Sequence, residues 1–248
     1  MTRIAILSDI HGNSDALAKV LGEARLQGAE RLIVCGDIVG YYYDASGVWN
    51  LLSQWQTDMC RGNHETIFKE WLDGDREKRD AIQRKYGSSY KIAESSMKQD
   101  DIKRLLSLRH PVQVKIDGIS FLVSHGAPWD EDAYLYPDTD TSNVERLAAY
   151  SSECDVLLMG HTHYQAVWEK EGVLALNPGS VGQPRSGKAT SISGGVARAQ
   201  WALYDTIERK HVLMNTTYDP SAVLEQASQF DPDLAYLRTV LTRQDSAA

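Results

Sequence analysis

Apolar positions along the chain follow two rhythms. Short β-branched runs break off in polar residues: Arg3 to Leu7 ends at Ser8-Asp9, Arg31 to Cys35 at Gly36-Asp37, and Asp58 to Arg61 leads into Gly62-Asn63-His64. Uninterrupted apolar runs of this length read as buried strands. Between them the apolar spacing turns helical. Leu17, Val20, Leu21 and Ala24 share one face, Asn13 is placed to cap that helix, and a second helix is expected from about Ala45 to Trp55. Strands alternating with helices predict a parallel, doubly wound sheet, and ligands of such sheets gather at the carboxyl ends of the strands.

From about residue 65 to 110 the chain is charged, helical in composition and broken by Gly74, Gly87 and Ser-rich stretches, which predicts a helical insert. Its aromatic residues Phe68, Trp71, Tyr86 and Tyr90 are expected to pack the insert. Beyond it short strands return. Val112 to Ile116 and Ile119 to Ser124 flank Asp117-Gly118, a hairpin signal. Asp155 to Met159, Gln165 to Glu169, Val173 to Leu176, Gln200 to Asp205 and His211 to Asn215 are further strand candidates. Gly182 to Ala197 reads as a Gly- and Ser-rich loop, and helices are expected over Pro220 to Ser228 and Pro232 to Leu241. A single domain over 1–248 carrying the insert is the economical division.

Composition narrows the function classes. The 248 residues carry a net charge of −8, so no basic field invites tight nucleic-acid binding or an anionic membrane. The three cysteines, Cys35, Cys60 and Cys154, are odd in number and sit in or beside strands, which fits buried free thiols and a reducing cytoplasm. No secretory leader pattern and no membrane-length apolar run are expected to operate.

The chemistry lies where the strands stop. Asp9-Ile10-His11-Gly12, Gly36-Asp37, Gly62-Asn63-His64-Glu65, Ser124-His125-Gly126 and Gly160-His161-Thr162-His163 hold five of the seven histidines that stand in short polar motifs; only His110 and His211 fall outside. Asp9 and His11 can reach one ion. Asp37 has two oxygens with which to bridge a pair of cations roughly 3.5–4 Å apart. Asn63 offers an amide oxygen, and His125, His161 and His163 offer imidazoles. Imidazole, carboxylate and amide donors without thiolate suit two divalent ions, Mn²⁺ first, with Fe or Zn²⁺ as alternatives.

This ordered set resembles the calcineurin-like metallophosphoesterase superfamily, and Asn177-Pro178-Gly179-Ser180-Val181-Gly182 extends the likeness toward its small prokaryotic phosphodiesterase branch. The resemblance implies a four-layer α/β/β/α sandwich. It implies that Asp9, His11, Asp37 and His163 hold one metal and that Asp37, Asn63, His125 and His161 hold the other. His64 would then stay off the metals and stabilise the transition state or protonate the leaving oxygen. The implied reaction is attack of a metal-activated hydroxide on the phosphorus of a diester or monoester. The protein phosphatases of the superfamily carry Gly-Asp-x-x-Asp-Arg-Gly, whereas this chain reads Gly36-Asp37-Ile38-Val39-Gly40-Tyr41-Tyr42. The Asp that would orient the histidine is Gly40 here, and the phosphate-binding Arg is Tyr41, which weighs against protein phosphatase activity. Arg61 and Arg185 are the candidate replacements for phosphate binding.

For the substrate, Tyr41, Tyr42 and Tyr43 follow one motif, while Trp129, Tyr134 and Tyr136 follow another. Aromatic rings beside a phosphoester site can stack a nucleobase, which makes a small phosphoester, nucleotides included, the expected partner. Packing of loops over the core is the competing use of those rings. A non-catalytic metal-binding scaffold of the same fold and a nuclease are the alternative functions.

Overall fold

The computed structural model describes residues 2–185 and 196–241. Strand β1 (Arg3–Leu7), helix α1 (Ser14–Leu26), β2 (Ala29–Val34), α2 (Ala45–Leu52) and β3 (Gln56–Met59) come first. The insert follows as α3 (Asn63–Asp73), α4 (Arg76–Tyr86), α5 (Ser89–Ser96) and α6 (Gln99–Leu106). The second half contains β4 (Val112–Ile116), β5 (Ile119–Val123), α7 (Thr141–Ala148), β6 (Val156–Leu158), β7 (Gln165–Lys170) and β8 (Val173–Pro178). Strands β9 (Ala197–Asp205) and β10 (Lys210–Tyr218) and helices α8 (Ser221–Phe230) and α9 (Ala235–Thr239) complete the described chain.

The strands form two sheets, ordered β10-β9-β1-β2-β3 and β4-β5-β6-β8-β7. This replaces the expected doubly wound sheet with the α/β/β/α sandwich. Alternation along β1 shows why. Ile4 and Ile6 point into the space between the sheets, with Phe121, Val123, Val156, Leu158 and Ala202. Ala5 and Leu7 point outward, against Leu17 and Val20 of α1 and Val48 of α2. Both faces are dry, so the run is uniformly apolar, and an apolar run carries no mark of whether a helix or a second sheet covers it. The outer face of the second sheet presents Leu122, Leu157 and Ala175 to Leu147 of α7.

Parallel pairing sets the position of the site. Strands β1, β2 and β3 are mutually parallel, as are β5, β6 and β8. Their carboxyl ends therefore form common rims. The hairpin at Asp117-Gly118 is present, with Ile116 opposite Ile119 and both turn residues at positive φ (49° and 82°), as a two-residue turn requires. Asn13 caps α1 by accepting the Ala16 N–H at 3.1 Å.

Some boundaries differ. Helix α2 stops at Leu52, short of Trp55, and the last helix covers only Ala235–Thr239. Helix α7 is absent from the sequence-based expectations, although Asp140 caps it by accepting the Asn143 N–H. Most of the expected loop over 182–197 lies outside the described residues. All three cysteines are free and buried. Among the described residues no helix is long and apolar enough to cross a membrane.

Candidate metal centre and active site

Each motif follows a strand: Asp9 and His11 follow β1, Asp37 follows β2, Asn63 follows β3, His125 follows β5, and His161 and His163 follow β6. The chain leaves these strands in strained turns. Of nine described non-glycine residues at positive φ, Asp9, His11, Asp37, His161 and His163 account for five, at 53° to 66°. L-residues pay for that conformation, and it persists only where the surroundings enforce it. Here the turns are locked to one another. The N–H groups of Ile10 and His11 both donate to the Asp37 carbonyl, at 2.8 and 2.9 Å, and the Gly160 N–H donates to the His125 carbonyl at 2.6 Å. The His161 N–H donates to Asp9 Oδ2 at 3.0 Å, which ties one sheet's rim to the other's.

Hydrogen bonds also fix which ring nitrogen faces inward. Nδ1–H of His11 donates to the Val39 carbonyl (3.2 Å), that of His125 to Cys35 (2.7 Å) and that of His163 to Gln183 (2.8 Å). A backbone carbonyl can only accept, so these three rings present Nε2 to the interior. The consequence is an unfavourable gathering of acceptors. Nε2 of His11 and His163 lie 3.1 Å apart. Nε2 of His125 lies 3.0 Å from Asn63 Oδ1 and 3.2 Å from Nδ1 of His161. Asp9 Oδ1 and His161 Nε2 are buried without a hydrogen-bond partner. Donor atoms of Asp9, His11 and His163 lie within 4.8 Å of one another, as do those of Asp37, His125 and His161, and those of His11, Asp37 and His64. Convergent lone pairs and orphaned buried acceptors are the environment that a divalent cation satisfies, so the residues fit one or two such ions.

Charge reinforces this arrangement. Burial raises the Asp37 carboxyl, but the imidazoles of His125 and His64 outweigh burial and hold it well below the ordinary carboxylate range. Burial works to lower His125, yet the Asp37 carboxylate 3.2 Å away prevails and pushes it up to about 10. Burial brings His64 and His161 down to about 4.

Two supports went unread in the sequence. Glu65 is fully buried and accepts four backbone N–H groups: Asp37 (2.9 Å), Ile38 (2.8 Å), Val39 (3.2 Å) and Gly62 (2.8 Å). It thereby clamps the turn after β2 to the start of α3. Its signal was available, since an acid three residues after Gly62 at a helix start is a capping-box position. The stretch Asn177 to Gly182 is a strap. Asn177 Nδ2 donates to the Gly160 carbonyl (2.7 Å) and Ser180 Oγ to the Asp9 carbonyl (2.7 Å).

Around His64 the aromatic residues divide. The Tyr41 ring lies against His11 and His64, with centroids 4.7 and 4.6 Å away. Tyr42 and Tyr43 instead point into the core, where their hydroxyls donate to the Leu237 carbonyl and to Asp231, so neither can stack a base. Tyr134 is half exposed, with its ring 4.2 Å from that of His161, and it stacks on Tyr136. Trp129 packs away from the site between Tyr150 and Arg146. Within the insert, Phe68 and Trp71 pack as expected, but Tyr90 does more: its hydroxyl lies 2.6 Å from Nδ1 of His64. Arg61 is held by two hydrogen bonds to Glu131, which occupies it as a candidate phosphate ligand. Arg185 donates its backbone N–H to the His163 carbonyl, and its guanidinium acts on both Tyr41 and Tyr134.

Comparison with known proteins agrees with this geometry. A model of the calcineurin-like phosphoesterase superfamily domain matches residues 2–197. An uncharacterised protein of Methanocaldococcus jannaschii is 29% identical over 246 residues, covering 90% of each chain. The crystal structure of a hypothetical protein from Pyrococcus horikoshii superposes with a TM-score of 0.75 at 19% identity, covering 100% of both chains. A metallophosphoesterase from Sphaerobacter thermophilus gives 0.72 at 22% identity, with 97% of this chain and 98% of that one covered. At these identities the two structures establish likeness of fold.

Glu65→Gln keeps the shape but turns an amide N–H₂ toward two backbone donors. Unfolding in urea should show a loss of about 3 kcal/mol, and an unchanged midpoint would remove the clamp role. A cation that takes Nε2 of His125 must displace its proton. Since that pKa lies near 10, divalent-ion affinity should rise with pH from 6 toward 10. Calorimetry at pH 7 in buffers of different ionisation enthalpy should record about one proton released per His125 engaged; buffer-independent heats would contradict this.

Proposed function

The chain belongs to the calcineurin-like phosphoesterase superfamily, and from that premise we propose that it is a dinuclear-metal-dependent phosphoesterase acting on small phosphodiesters or phosphomonoesters. One observation carries the reading: the Nε2 atoms of His11, His125 and His163 converge with Asp9, Asp37, Asn63 and His161 because the outer nitrogens of the three rings are spent on backbone carbonyls. A structural role would not need so many inward acceptors. Asp9, His11, Asp37 and His163 are the proposed first ligand set; Asp37, Asn63, His125 and His161 are the second, with Asp37 shared. Two bound divalent ions, Mn²⁺ the first candidate, would supply an activated water and neutralise charge on the phosphoryl oxygens.

The chain's own residues do the rest. His64 has Nδ1 engaged by Tyr90, which leaves Nε2 for the substrate. In this reading it donates a hydrogen bond to the leaving oxygen and passes it a proton as the ester bond breaks. Glu65 and the strap from Asn177 hold the ligand turns fixed, so little reorganisation accompanies reaction. With Arg61 occupied by Glu131, Arg185 is the remaining basic group proposed to meet phosphate. Tyr41 and Tyr134 stand beside the ligand histidines and are proposed to face the organic part of the ester. Flat aromatic surfaces beside a phosphate site suit a nucleotide. The net charge of −8 and the acidic Asp130-Glu131-Asp132 segment favour a short substrate over long nucleic acid.

Metal-stripped protein reconstituted with Mn²⁺ should hydrolyse bis(p-nitrophenyl) phosphate and lose that activity on chelation. His64→Ala should retain the metal stoichiometry while kcat falls roughly 10²–10⁴-fold. A metal-loaded protein with no turnover on diesters or monoesters would shift the assignment to a scaffold. Tyr134→Ala should raise KM for nucleotides about tenfold, within the range for loss of one stacked base, and leave KM for small aryl phosphates alone. Equal effects on both substrates would remove the stacking role.

A further inference from the structure

Tyr90 belongs to α5, inside the insert and remote in sequence from every ligand motif. It is fully buried, yet its hydroxyl finds a partner 2.6 Å away in Nδ1 of His64. Its ring is held between two others. It stacks on Phe68 at 5.9 Å and 16°, and on His64 at 6.1 Å and 27°. Phe68 lies on α3, which also carries His64, so the phenol is braced against the helix that its hydroxyl serves.

Gly40 shows that no other group can take this place from the opposite side. It sits at φ +91°, and a Cβ there would fall well inside van der Waals contact of His64 Nδ1. Any side chain at position 40 would displace the imidazole. The turn after β2 therefore leaves Nδ1 free of its own side chains, and the insert supplies the partner. A second hold comes from the backbone, since the His64 N–H donates to Asp37 Oδ1 at 2.8 Å. The imidazole is thus anchored at its root by the shared carboxylate and at Nδ1 by the phenol. Its one uncommitted polar atom is Nε2, and its ring lies 4.8 Å from that of His11. Burial raises the Tyr90 pKa well above the ordinary phenol value, so the group stays a neutral hydroxyl.

Building on the phosphoesterase reading above, we propose that Tyr90 is the positioning residue for His64, its hydroxyl fixing the imidazole so that Nε2 is presented to the leaving oxygen. A hydroxyl suits the task in either half of the cycle. It donates to Nδ1 when the imidazole is neutral, and it accepts from Nδ1–H when the imidazole is charged, so the ring is held whether it carries one proton or two. The insert is therefore part of the catalytic apparatus as well as a packing layer.

The test is a cycle of Tyr90→Phe, His64→Ala and the double variant, each as Mn²⁺-loaded full-length protein. Turnover is measured on bis(p-nitrophenyl) phosphate and on a diester with a poorer leaving group. Tyr90→Phe keeps the ring stacked on Phe68 and removes only the oxygen. The expected result is a fall in kcat of roughly 10–100-fold, as for other groups that orient a reactive imidazole, with KM and metal content unchanged. The fall should be larger for the poorer leaving group, and Tyr90→Phe should cost nothing further when His64 is already Ala. Full rate in Tyr90→Phe, alongside a large loss in His64→Ala, would overturn the proposal and leave the phosphoesterase reading intact. An equal loss in both backgrounds would also overturn it, by marking Tyr90 as structural. No loss in His64→Ala would strike the role of His64 itself. Should Tyr90→Phe fail to fold, imidazole nitrogen shifts of the wild-type protein decide the matter. A hydrogen-bonded Nδ1 at His64 is expected, and a free pyridine-type Nδ1 would refute the assignment.

Discussion

Three imidazoles are turned the same way by three backbone carbonyls, and the rest of the site is organised around the cost of doing so. Spending Nδ1–H on Val39, Cys35 and Gln183 leaves Nε2 atoms facing one another and facing carboxylates in a buried space. Left to itself such a cluster would relax by rotating rings or admitting protons. It is prevented from relaxing by the turns, and the turns are held in left-handed geometry by hydrogen bonds to Glu65, to the strap at Asn177 and to each other. The fold thus stores unfavourable electrostatics in a place where binding can relieve them. Much of the polar interior has no other evident purpose.

The same economy explains the distribution of aromatic residues. Tyr42 and Tyr43 fasten the turn after β2 onto the C-terminal helices, while their neighbour Tyr41 reaches the opposite way because its backbone sits at φ +59°. Consecutive residues of identical type therefore serve a core and a site. Sequence proximity to a motif says little about which of the two a ring will do; the local dihedral angle decides.

The ligand candidates were legible in the sequence because each follows a strand and each strand is an uninterrupted apolar run. Chain order alone placed Asp9, Asp37, Asn63, His125, His161 and His163 at one rim. The second sheet was legible only through the family resemblance, since burial of both faces of β1 erases the signal of what covers them. Glu65 was written in the capping pattern and overlooked. Tyr90 was beyond reach, because its role rests on one tertiary contact to His64 and its sequence surroundings match those of any packing tyrosine. Helix α7 offered a cap at Asp140 and an apolar face at Leu147 and Ala148, both modest signals within a polar stretch.

The division of ligands between the sheets has a further consequence. Asp9, His11, Asp37 and Asn63 issue from one sheet, whereas His125, His161 and His163 issue from the other. Neither half holds a full coordination shell. A cation bound by both acts as a rivet through the sandwich, and it binds the folded chain far better than the unfolded one. By mass action, free metal at a thousand times its dissociation constant adds about 4 kcal/mol to folding stability. The ion supply of the surroundings would then set the melting temperature of this protein, independently of whether any ester is being cleaved.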